Sequence, residues 1–185
     1  MNQEIISFDK NLFLLDSMLL KNLRQQEGYG SLDSLDNLHN FFEPAQVASV
    51  AKHCYDFFTT AEFKDVYYGL CCRINKEKFS GTALFQKIPS VRIAMPGIKS
   101  VNFHTDNWYG HGEDVCNYWM PLVDVSESMS LAILSEEDSK AAIESFSGKK
   151  VSIGEINSTC QEKMRFLDMK FGEIYFLIPK HCTEQ

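Results

Sequence analysis

Long apolar runs are missing from this 185-residue chain. No window reaches the roughly 18 consecutive apolar residues that a membrane-spanning helix requires. Basic charge is scarce as well, with 18 Lys and Arg against 25 Asp and Glu and a net charge of −7. A nucleic-acid backbone or an anionic membrane surface attracts the opposite balance, so neither partner is expected. The opening residues are interrupted by Asp9, Lys10 and Asp16 and lack the basic start, unbroken apolar block and small-residue cleavage site of a signal peptide. A cytoplasmic location follows as the expectation. Six cysteines, Cys54, Cys71, Cys72, Cys116, Cys160 and Cys182, include no CxxC pair. Free thiols in a reducing compartment are predicted, and a cysteine zinc site is disfavoured because it needs closer spacing. No GxSxG, phosphate-loop or dinucleotide fingerprint occurs, which removes support for a serine hydrolase, an NTPase or a Rossmann enzyme.

What is present is a chain 44% hydrophobic and long enough for one domain with a sizeable core. The expected organisation is a single domain over 1–185, with a helical preface at 1–80 and a jelly-roll core at 81–185. Apolar residues Phe13, Leu14, Met18, Leu19 and Leu23 recur at helical spacing before a cluster of Gly28, Tyr29 and Gly30, predicting a helix within 9–26. Pro44 opens a second helix carrying Val47, Val50, Cys54, Phe57 and Phe58. Thr59 followed by Glu62 reads as a capping box for a third helix running to Lys78. Beyond Gly81 the apolar runs shorten and are bounded by Gly, Pro, Asn and Asp. Strands are predicted over 83–88, 91–95, 99–104, 115–123, 130–134, 165–169 and 173–178, with a short helix over 139–146 after the acidic start at Glu136, Glu137 and Asp138. Several short strands in close succession point to antiparallel sheet curled into a barrel or jelly roll, a mainly β fold with a helical N-terminal part.

The chemistry concentrates in VNFHTDNWYGHGEDVCNYWMPL, residues 101–122. On a strand, positions i and i+2 share a face, so His104 and Asp106 can reach one point while Thr105 points away. An imidazole nitrogen and a carboxylate oxygen converging in this way suit a divalent transition metal. A third ligand is sought at the end of another strand. His181 in FGEIYFLIPKHC fits, because Gly172 introduces an apolar strand that Pro179 ends just before it. Two histidines and one carboxylate on one face of an octahedral metal leave the opposite positions open for dioxygen and a co-substrate. The competing reading is that HTDN is turn chemistry, with a strand-end histidine and a capping aspartate. Trp108 and His111, in the loop after the candidate ligands, are placed as lining of a substrate pocket, with a solvated loop histidine as the plainer reading of His111.

The passage from Val91 to Leu134 together with the late FGEIYFLIPKH resembles the Fe(II)/2-oxoglutarate dioxygenases of the double-stranded β-helix fold, and most of all the phytanoyl-CoA-hydroxylase-related branch with its streptomycin-biosynthesis-type relatives. The resemblance implies that His104, Asp106 and His181 bind Fe(II). It further implies that Asn117 and Tyr109 lie near the co-substrate 2-oxoglutarate and that Arg92 contacts an anionic group. The implied activity is oxidation of a small polar metabolite, a sugar or secondary-metabolism intermediate, coupled to conversion of 2-oxoglutarate into succinate and CO2.

The family pattern continues past the distal histidine into a strand bearing an Arg or Lys that pairs with the far carboxylate of 2-oxoglutarate, and the present sequence runs only to Gln185. A charge-assisted contact of that kind contributes about 1.5 to 3 kcal/mol. Three readings stay open: a truncated final strand, a substitute cation such as Arg92 or Lys180, or a different co-substrate. Two other functions compete with the oxygenase, namely a jelly-roll binding protein without turnover and a Zn- or Mn-dependent hydrolase or isomerase on the same scaffold.

Overall fold

The computed structural model describes residues 5–79, 83–98, 102–105, 108, 115–177 and 183–184. The chain divides into two compact units. One is Phe8–Met95, and the other combines Pro96–Gln185 with the N-terminal Met1–Ser7.

The Phe8–Met95 unit is helical. Helix α1, Leu15–Arg24, buries Leu15, Leu19 and Leu23 at the spacing that puts one stripe inward. Pro44–Gln46 forms a 3-10 turn with a capping box between Glu43 and Gln46, and α2, Val47–Phe58, follows from it. Helix α3, Ala61–Lys78, is capped by Thr60, whose hydroxyl oxygen accepts from the Phe63 amide at 3.4 Å. The cap falls one residue later than the Thr59 expected, because Thr59 keeps helical backbone angles as the C-cap of α2 and Thr60 is the residue that turns extended (φ −67°, ψ 152°). Aromatic packing joins the two helices: Phe58 and Phe63 stack with centroids 4.4 Å apart, and Phe57 meets Phe63 edge-on at 5.4 Å.

The second unit stacks two small antiparallel sheets and a helical layer. Strand β5, Glu173–Leu177, is the centre of the first sheet, flanked by β1, Ile5–Ser7, and β2, Asn117–Trp119. Ile5 and Trp119 both pair with Tyr175. Strand β3, Ala132–Ile133, is the centre of the second, between β4, Arg165–Phe166, and β6, Thr183–Glu184. Alternation along β3 splits its neighbours into two cores. Ile133 packs with Leu131, Leu167, Met169, Tyr175 and Leu177, which fills the space between the sheets. Ala132 and Leu134 pack the other way, with Phe103, Ala142 of α4 (Glu136–Phe146) and Cys160 of α5 (Ile153–Gln161).

This architecture corrects the expectation of a mainly β jelly roll. The chain is 46% helical and 13% strand, and among the described residues the strands form two open sheets and no barrel. Two physical causes are visible. The runs at 83–88 and 91–95 form no strands because tyrosine hydroxyls take backbone groups that a sheet would have used. Tyr67 donates to the Gln86 carbonyl at 2.9 Å, Tyr68 to the Lys87 carbonyl at 3.3 Å, and the Val91 amide donates to Tyr55 at 3.2 Å. The second cause is that the supposed β half also holds two helices: α4, which contains the expected helix 139–146 and starts three residues earlier, and α5, which was not expected. Strand 173–178 is matched by β5, while 115–123, 130–134 and 165–169 shrink to β2, β3 and β4. Part of the predicted strand 99–104 lies outside the described residues.

Candidate functional site

The segment carrying His104 is fixed from two sides. Phe103 is buried in the core shared by β3, α4 and α5, at 3% exposure. Asn157, on α5, grips the backbone just beside it. The Phe103 amide donates to Asn157 Oδ1 at 3.2 Å, and Asn157 Nδ2 donates to Asn102 Oδ1 at 3.0 Å. An amide N–H can only donate, so this pair of contacts fixes which way round the Asn157 carboxamide sits.

Clamped in this way, the chain presents His104 outward, partly exposed, and Thr105 inward at 1% exposure. The alternation is the one expected for a residue pair at a strand end. His104 Nδ1 lies 2.8 Å from the Asn102 carbonyl oxygen. A carbonyl only accepts, so Nδ1 carries the proton and, in the neutral ring, Nε2 carries the lone pair. Metal-bound histidines are commonly oriented by this same Nδ1–H to backbone carbonyl contact. The donor chemistry at His104 therefore fits a divalent transition metal.

The turn after His104 leads into a groove. The Trp108 amide donates to the Thr105 carbonyl at 3.0 Å, folding the indole-bearing residue back beside the His104–Thr105 backbone. Trp108 meets Phe146, the last residue of α4, edge-on with centroids 6.5 Å apart. With Ile143 of α4, Val151 just before α5 and Ile156 within it, these rings line a groove of about 370 Å³, to which Ser147 and Lys149 add polar side chains. Gly148, at φ +69°, turns the chain between Phe146 and Lys149 in the left-handed conformation that ends many helices, so both flanking side chains reach the groove.

The remaining candidates distribute as follows. Asn117 opens β2 and pairs with Leu177 of β5, the strand whose sequence continues towards His181. β6 begins two residues after His181 and pairs with β3, whose Ala132 shares a core with Phe103, the residue before His104. Arg92 is exposed on the Phe8–Met95 unit. Asp106, Tyr109, His111 and His181 lie outside the described residues. Among the described residues, no group of three His, Cys, Asp or Glu side chains is placed to hold a metal, and no helix is long and apolar enough to cross a membrane. Asn157 and the Ile143, Phe146 and Lys149 wall were not found from the sequence. The clue for α5 was there in the Ser152-x-x-Glu155 box, which forms with Ser152 accepting from the Glu155 amide at 3.3 Å and Glu155 accepting from the Ser152 amide at 2.8 Å.

Comparison with protein-family models, curated proteins and solved structures finds no match for this chain. The functional reading accordingly rests on the residues and their geometry.

Proposed function

We propose that the protein is a non-haem Fe(II)- and 2-oxoglutarate-dependent oxygenase of a small metabolite, with His104, Asp106 and His181 as the residues that would hold iron. The observation that carries this reading is the orientation of His104, whose Nδ1 faces the Asn102 carbonyl at 2.8 Å in the manner common among metal-bound histidines. The sequence spacing of HTD and the later strand-then-histidine supplies the other two ligands. A bound iron of this kind would let dioxygen and 2-oxoglutarate react, releasing succinate and CO2 and delivering one oxygen atom to a substrate C–H bond.

The chain's own contributions are orientation and exclusion of water. Asn157 and the buried Phe103 hold the His104 backbone, and Asn102 aims the ring. Trp108 and Phe146 offer an apolar wall on the turn that follows. Asn117 and Tyr109 are the proposed contacts to 2-oxoglutarate, and Lys180 the proposed cation for its far carboxylate.

Anaerobic addition of Fe(II) and then 2-oxoglutarate tests the proposal. A visible charge-transfer band that disappears in Asp106→Ala and His104→Ala is the expected result. Iron bound without the band would shift the reading to a hydrolytic or isomerising metal, and unchanged iron stoichiometry in both variants would remove the ligand assignment.

A further inference from the structure

The groove beside Trp108 has a chemical character that the metal-site residues do not specify. Its walls are the two rings, set at an interplanar angle of 66°, and the aliphatic side chains of Ile143, Val151 and Ile156. Among the described residues, only Ser147 and Lys149 bring aliphatic polar side chains to it. A sugar entering such a groove would surrender water from several hydroxyls and regain few hydrogen bonds, at a cost of about 1 to 3 kcal/mol for each group left unpaired. A flat apolar body loses nothing polar and gains ring-to-ring contact with Trp108 and Phe146.

Lys149 sets the charge. Its ammonium has no carboxylate within ion-pair distance among the described residues, in contrast to Lys140 and Lys163, which pair with Glu136 and Asp138 at 2.8 and 2.9 Å. The neighbouring N-terminus of α5 offers no rival anion site, because Ser152 and Glu155 already occupy it. The volume of about 370 Å³ lies at the small end of ligand pockets, which run from about 300 to 1,000 Å³, and suits one or two rings.

We infer that this groove binds a small aromatic carboxylate, the ring laid against the wall that Trp108 and Phe146 form together and the carboxylate on Lys149. Calling that ligand the substrate rests on the oxygenase reading above; the binding itself does not.

Calorimetric titration of trans-cinnamate and of its neutral amide, into the full chain freed of metal with EDTA, tests the inference. Cinnamate is expected to bind at least about threefold more tightly than the amide, the range an exposed lysine contributes. Lys149→Gln, an exposed change that leaves the core untouched, should bring cinnamate down to the level of the amide. Trp108→Ala should weaken both probes. Equal binding of the two probes, an unaltered preference in Lys149→Gln, or no binding of either would overturn the inference. Iron stoichiometry of the same proteins is read separately. Cinnamate binding with no iron uptake would sink the oxygenase and leave the groove, while iron uptake without cinnamate binding would do the reverse.

Discussion

Asn157 and Asn102, 55 residues apart in sequence, join side chain to side chain at 3.0 Å, and the same Asn157 carboxamide accepts the Phe103 amide at 3.2 Å. One residue of α5 thereby holds the two positions that precede His104. Because the Asn102 carbonyl in turn orients the imidazole, Asn157 acts on the ring through the backbone it clamps.

Asn157→Ala should therefore weaken iron binding by about tenfold, the lower end of the effect of outer contacts on metal sites, and lower stability by about 1 to 2 kcal/mol. Asn157→Asp keeps the acceptor for Phe103 and loses the donor to Asn102, so it should fall between the two. Iron affinity measured beside thermal unfolding checks this. A loss of stability with unchanged iron affinity would make Asn157 purely structural.

Thr105 provides a contrast on the next position. Its side-chain oxygen is buried with no hydrogen-bond partner among the described residues. A buried hydroxyl in that state costs desolvation and returns nothing. Thr105→Val, nearly the same shape, should raise stability by about 0.5 to 1 kcal/mol and leave iron affinity unchanged. A drop in the unfolding midpoint would show that the hydroxyl has a partner that matters.

The pattern of what was legible follows from the range of each interaction. Helices α1, α2 and α3 are written locally, in the helical recurrence that includes Leu19 and Leu23, in Pro44, and in Thr59, one residue short of the Thr60 cap. β5 is announced by Gly172, which takes φ +105° just ahead of it. The failure at 83–95 came from long-range competition, since no local pattern reveals that Tyr55, Tyr67 and Tyr68 will claim that backbone. β1 was missed because its three residues are defined by pairing with β5 at the other end of the chain. Helix α5 was missed although its capping box was legible, since half-polar residues such as Asn157 and Thr159 and the 60% exposed Ile153 blur its apolar period. At the candidate site, His104 could be singled out from HTD, but the residue that clamps its backbone could not, since nothing in an isolated asparagine on α5 points to Asn102.

Cys54 is 1% exposed, and burial pushes its thiol up from about 9 to about 11. A folded-state value above the unfolded one means that the protonated thiol is the form the fold prefers. Its contribution is fully present below about pH 9 and is lost as the pH rises through about 11. At pH 8, Ellman's reagent should react at once with exposed Cys72 and reach Cys54 only on unfolding. Cys54→Ala should lower stability at neutral pH by about 1 to 2 kcal/mol through the cavity it leaves, yet show a shallower decline between pH 9 and 11. Rapid native-state labelling of Cys54 would contradict its placement in the core.

Acid should act on the second unit through α4. Ser135 caps this helix, accepting the Asp138 amide at 3.0 Å and donating its hydroxyl to Asp138 Oδ2 at 2.7 Å, while Lys163, just past α5, reaches Asp138 Oδ1 at 2.9 Å. The Ser135 hydrogen bond first, and the Lys163 ammonium second, hold the Asp138 carboxyl below its ordinary value near 3.8. A depressed folded-state value contributes stability above the unfolded one and loses it as the pH falls through the folded one, so the effect fades below about pH 4. Ser135→Ala removes the larger cause. It should destabilise the helix by about 1 kcal/mol at neutral pH, from the lost cap alone, and flatten the acid limb of the stability profile. Lys163→Gln should flatten that limb less and leave the cap intact. Unfolding midpoints of the wild type and both variants between pH 2 and 7 separate the two causes, and parallel curves for wild type and Ser135→Ala would show that Asp138 does not sense the hydroxyl.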